Sequence, residues 1–136
     1  MPATASETVR VYYAALRAGD PLGRFFADAC TEDDPVVKFG ISERLVGTDA
    51  VREGLRSQTT TTRDWTVESD ALRVTERERH AWFADLVRLG WTDLERDAAY
   101  DLETRWSGTL ERRPPTSDGP GDWRFVGMHV STARGL

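Results

Sequence analysis

The sequence predicts an α+β domain in which three N-terminal helices pack across one face of a strongly curved antiparallel sheet. Two observations carry that expectation. Apolar residues recur at helical spacing through the first half of the chain, then at every second position from Trp65 onward. The stretches with the two-residue period are also long for strands, and a long sheet accumulates twist rather than lying flat. With 136 residues, 39% of them hydrophobic and 30% charged, the chain suits one domain spanning residues 1–136 with a single core.

The elements follow in order. Ser6 is placed to cap a first helix, along which Val9, Tyr12, Tyr13 and Leu16 share a face until Gly19-Asp20 stops it. Pro21 suits the first position of a second helix, LGRFFADACTE, with Leu22, Phe25, Phe26 and Cys30 inward and Asp33-Asp34-Pro35 as its break. Val36 to Val46 reads as a short hairpin or bent strand around Gly40. Gly47-Thr48-Asp49 opens a third helix carrying Val51 and Leu55, and the β-branched run Thr59–Thr62 extends it poorly. A four-stranded meander then begins at Trp65, Arg79, Ala98 and Gly121, with a proline-rich loop from Pro114 before the last strand.

Composition excludes several classes. A formal charge of −5 and a pI near 5.0 offer no footprint for nucleic acid or an anionic membrane. Lys38 is the single lysine among 18 basic residues, an arginine bias that fits a high-GC or salt-adapted source. Cys30 has no second cysteine to pair with, and no apolar run reaches membrane-spanning length. MPATASET has neither a basic start nor an apolar block, so the expectation is a soluble cytoplasmic protein. His80 and His129 share no ligand spacing, so no metal is expected, and the absence of a glycine-rich phosphate loop points to no cofactor.

The phrases YYAALRAGD, GTDAVREGL, TRWSGTLERR and GDWRFVGMHVS, in that order along the chain, resemble the SnoaL-like family of the nuclear transport factor 2-like superfamily. The resemblance implies a cone-shaped sheet closed by helices, a pocket within the cone and a homodimer. It leaves activity open, because the superfamily holds ketosteroid isomerases, polyketide cyclases, hydratases and members that bind without chemistry. By that resemblance Tyr12 matches the oxyanion tyrosine of the isomerases, while Gly108 stands where their second acidic donor would be. Aligning Asp34-Pro35 makes Asp34 the catalytic base. Aligning Phe39-Gly40 and Gly47 instead puts Val37 or Lys38 at that position. Arg105 is similar to a pocket-facing arginine of the calmodulin-dependent kinase II association domain, with Val130 in the place of another.

The residues themselves add Asp85, which interrupts the apolar run from Trp82 to Val87 and is costly there unless paired or facing a wet cavity. Alternation places Phe83, Asp85, Val87 and Leu89 on one strand face. The expected site is therefore a pocket lined by Tyr12, Asp85 and Arg105, with Phe83, Val87 and Met128 as apolar wall, for a small hydrophobic molecule with one polar or acidic group. Three plainer readings stay open: Tyr12 as helix packing, Asp85 with Arg105 as a structural ion pair, and both on an exposed sheet face. Three functions compete accordingly. They are a homodimeric small-molecule binder, an isomerase, cyclase or dehydratase using Asp85 or Asp34 as base, and an assembly module. The dimer is expected through the outer sheet face, with Trp82, Trp106, Phe125 and His129 as contacts.

Overall fold

The computed structural model describes residues 3–28, 35–113 and 122–133. The first helix, α1 (Ala5–Ala18), is capped by Thr4, not Ser6: the Thr4 hydroxyl accepts from the Glu7 amide at 3.1 Å, and Glu7 reaches back to the Ala3 amide. Gly19 ends it at φ 74°, where its amide donates to Leu16 and that of Asp20 donates to Ala15. Its buried face, Val9, Tyr12, Tyr13 and Leu16, is the predicted one.

The predicted second helix is a correction. Only a single 3₁₀ turn forms, at Gly23–Phe25, and residues 29–34 of that segment lie outside the described residues. Phe25 and Phe26 are both buried, and the chain turns extended at Phe26, which bridges Phe125 while the Ala27 amide donates to the Phe125 carbonyl at 3.0 Å, so the backbone joins the sheet instead of continuing a helix. The second α-helix is α2 (Thr48–Thr61), which runs through the threonine stretch; Thr59 and Thr61 bond back to the carbonyls of Leu55 and Ser57.

The strands are β1 (Val37–Gly40), β2 (Glu43–Val46), β3 (Thr62–Ser69), β4 (Arg73–Glu76), β5 (His80–Asp93), β6 (Ala98–Arg112) and β7 (Trp123–Thr132). They form one sheet in the order β2-β1-β7-β6-β5-β3, with β4 also pairing β5. The stretch read as one strand from Trp65 is thus two, β3 and β4, separated by a turn. The sheet is antiparallel except that β1 runs parallel to β7, with Lys38 opposite Met128. That joint carries the N-terminal hairpin onto the edge of the meander and leaves β2 as the edge strand of an unclosed sheet.

A bulge sets which side chains face inward on β7. Thr109 pairs with Gly127 but Leu110 pairs with Phe125, so Val126 is the extra residue. Met128 and Val130 face inward above the bulge, and Trp123 and Phe125 face inward below it. Phe125 and Trp106 are therefore core residues and not outer-face contacts. The core centres on Tyr12, whose ring meets Phe25, Phe125, Phe26 and Trp106 edge-on at 5.3–6.2 Å. Phe83 joins Phe125 at 5.8 Å. At Gly108 a Cβ atom would come within 2.7 Å of the Phe83 ring, so the ring occupies the space a donor side chain at this position would need.

Candidate functional site

The hairpin supplies the chemistry. Gly40 and Glu43 face each other across the two-residue turn Ile41-Ser42, with Ser42 at φ 65°. Alternation sends Lys38 inward and its neighbours Val37 and Phe39 outward. Lys38 is 5% exposed, and its Nζ donates to Glu43 Oε1. Glu43 reaches that position because Gly40 has no side chain: a Cβ there would lie 2.6 Å from Glu43 Cγ. Among the described residues the ammonium makes this one hydrogen bond, so two of its three donors stay available.

Lys38 and Glu43 both line a cavity of about 120 Å³ between α1 and the sheet. Tyr12 and Leu16 line it from α1, Leu89, Trp106 and Val130 from the sheet, and Gln58 and Thr62 from the α2–β3 junction. Trp65 and Trp91 form one wall, stacked with ring centroids 5.1 Å apart and Tyr100 beyond them. The Trp65 indole is fixed by a 2.9 Å bond from Nε1 to Thr62 Oγ1. The Tyr12 hydroxyl has no hydrogen-bond partner among the described residues, and its proton is held well above the ordinary phenol range, first by burial and then by the Glu43 charge. The cavity thus combines aromatic walls with a carboxylate and two kinds of donor, the set that proton transfer next to a carbonyl requires.

The predicted site residues divide. Tyr12 lines the cavity. Phe83, Val87 and Met128 are buried on the inner face as predicted, but as packing outside the cavity lining. Asp85 is also inward, 4% exposed, and fully engaged. It accepts from Tyr13 Oη at 2.8 Å, Ser69 Oγ at 2.6 Å and the Ala71 amide at 3.0 Å. It ties α1 and the β3–β4 turn to β5. Arg105 is a correction: it is exposed on the outer face, because Asp85 pairs across the sheet with Trp106 while Arg105 pairs with Leu86. The two do not meet. Asp34 lies outside the described residues.

Glu43, Trp65 and Trp91 entered no sequence-level site, and Lys38 entered only as one alternative position. The usable signal was the inverted strand VVKFG, in which the lone lysine shares its face with Val36. A larger cleft, about 740 Å³, lies between the 3₁₀ turn, α2 and Arg113. Its Arg52 is held by Asp28 at 2.8 Å. Among the described residues no group of three or more His, Cys, Asp or Glu side chains is placed to hold a metal, and no helix is long and apolar enough to cross a membrane.

Solved structures share this architecture. A candidate dehydratase of the nuclear transport factor 2-like family from Streptomyces avermitilis superposes with a TM-score of 0.75 at 16% identity, over 95% of this chain and 93% of that one. A ketosteroid isomerase-like protein from Erwinia carotovora atroseptica gives 0.70 at 16%, over 95% and 93%. A candidate calcium/calmodulin-dependent kinase II association domain from Xanthomonas campestris gives 0.70 at 16%, over 96% and 86%. At such identity these likenesses speak for the fold alone. A comparison with curated proteins finds no match. A family profile, that of the SnoaL-like domain, matches residues 6–135. On that match, which spans nearly the whole chain, the chain belongs to the SnoaL-like domain family.

Proposed function

We propose that this domain is a cytoplasmic homodimer that binds a small, mostly apolar carbonyl compound in the cavity beneath α1. The observation that carries this reading is the buried Lys38, with donors to spare inside an aromatic-walled space. Glu43 already neutralises the ammonium, so a carboxylate ligand has to compete with it, whereas a neutral carbonyl oxygen accepts without that conflict. Size narrows the class further. A cavity of about 150 Å³ accommodates one benzene ring, so a space of about 120 Å³ is of the size that takes a single ring.

Benzamide is a suitable probe because it offers a ring and a carbonyl oxygen. It is expected to quench tryptophan fluorescence saturably through Trp65 and Trp91. Lys38→Met is expected to weaken binding roughly tenfold, the value of one hydrogen bond to a charged donor. A linear, unsaturable response, or equal affinity in the variant, rejects the reading.

A second reading, isomerase or dehydratase chemistry, is favoured by Glu43. Its carboxylate is positioned as a base, with Lys38 and Tyr12 as donors to an enolate oxygen. The candidate dehydratase and the isomerase-like protein among the structural neighbours are consistent with it. On this reading acetophenone exchanges its methyl protons in deuterated water, and Glu43→Gln stops the exchange.

The dimer rests on the outer sheet face. Phe39, His129, Ser107 and Ala84 form one row across β1, β7, β6 and β5. Trp82 and Leu86, 44% and 53% exposed, flank that row, and Arg105 lies beside it. Apolar surface of this kind marks an association site more often than free surface. Light scattering is expected to give the dimer mass for the wild type and the monomer mass for Leu86→Glu. A monomeric wild type at micromolar concentration rejects the dimer.

A further inference from the structure

We propose that Lys38 captures aldehydes covalently, as an iminium, within the cavity; this rests on the carbonyl-binding reading above and assigns it a reaction. Three features on the same hairpin and its surroundings lead there. Lys38 is the chain's single lysine, and its side chain is 6% exposed, so it is withdrawn from bulk water yet opens on a space of ligand size. A lysine in such a setting becomes a nucleophile once it gives up its proton. Glu43, bonded directly to Nζ, is the group that takes that proton. Finally, Trp65, Trp91, Trp106 and Leu89 line the same cavity, and an apolar wall slows the return of water that hydrolyses an imine.

The step balances without an outside reagent. Lys38 passes one proton to Glu43, and the freed amine attacks the carbonyl carbon, forming a C–N bond while the C=O π pair moves to oxygen. A proton shifts from nitrogen to that oxygen to give the carbinolamine. Glu43 returns its proton to the hydroxyl, the C–O bond breaks and water leaves. The nitrogen lone pair closes the C=N bond. Glu43 ends as the carboxylate it was, and the net change is ammonium plus aldehyde to iminium plus water. Tyr12, whose hydroxyl has no partner among the described residues, stands at the same cavity as a further donor to the intermediate oxygen.

The test is reductive trapping of the intact protein with benzaldehyde and borohydride, followed by peptide mapping. The expected product is one benzyl group on Lys38, formed on the order of tenfold faster than on the amino terminus because the aldehyde is held beside the amine. Its formation is saturable and slowed by benzamide. Lys38→Arg, which keeps the charge and the pairing with Glu43, loses the adduct, and Glu43→Gln slows it. Label confined to the amino terminus, or on Lys38 at the amino-terminal rate, overturns the proposal. Benzamide binding measured in parallel separates the two claims. Binding without an adduct defeats the iminium alone; neither binding nor adduct defeats both. An adduct that benzamide does not slow defeats capture inside the cavity.

Discussion

Replacing Asp85 with alanine is expected to cost about 2–3 kcal/mol of stability, because it removes the acceptor of three hydrogen bonds and leaves the buried Tyr13 hydroxyl without its partner. The Tyr13 hydroxyl, the Ser69 hydroxyl and the Ala71 amide all point at one carboxylate that is 4% exposed. None of the three has another described partner waiting; Ser69 and Ala71 are exposed and can turn to water, so most of the cost falls on the buried Tyr13 hydroxyl. Urea unfolding reads the effect as a lowered midpoint at an unchanged slope. Arg105→Ala, on the outer face, is the control and should stay within about 0.5 kcal/mol. Benzamide affinity should be the same in folded Asp85→Ala as in the wild type, since Asp85 does not line the cavity. A variant as stable as the control removes Asp85 from its role as the tie between α1 and the β3–β4 turn.

Stability is expected to collapse above pH 10. Burial raises the Tyr12 hydroxyl far beyond the ordinary phenol range, with Glu43 adding to it. Burial, the hydrogen bond to Asp85 and the Asp85 charge do the same for Tyr13. In the unfolded chain both ionise near pH 10. Above that pH the folded state holds protons that the unfolded state has released, so stability falls as pH rises; below it the two states bind equally and this contribution is constant. Each tyrosine contributes a slope of about 1.4 kcal/mol per pH unit, and the pair about twice that. Unfolding midpoints measured between pH 9 and 11.5 should show it. Tyr12→Phe should halve the slope. An alkaline slope unchanged in that variant removes Tyr12 from the cause.

Much of the fold was legible because periodicity reports burial directly. The α1 stripe, the hairpin around Gly40 and the strands after Trp65 all follow from it. Three features escaped for physical reasons. Phe25-Phe26 has the composition of a helix face, but at Phe26 the backbone turns extended and bridges Phe125 of β7, a distant pairing that local periodicity does not contain. The bulge at Val126 reverses the alternation midway along β7, so no uniform period could place Phe125 and Met128 on one side. The face of Arg105 follows from the β5–β6 register, which a sequence read strand by strand does not contain. The site was less legible than the fold. In VVKFG the apolar pair Val37 and Phe39 reads as the inner set, and only the parallel joint to β7 turns Lys38 inward instead.

That parallel joint also fixes when the cavity can exist. Every other strand pairing in the sheet joins strands that are neighbours or near neighbours in the sequence, and such contacts close short loops. Lys38 meets Met128 only after nearly the whole described chain has been made. During synthesis the hairpin therefore leaves the ribosome with its lysine exposed and waits for β7. Non-local pairings of this kind are slow to form. The Lys38 wall is then, with the Phe26–Phe125 bridge, among the last parts of the described fold to be assembled, and the meander can be complete while the site is still open to water.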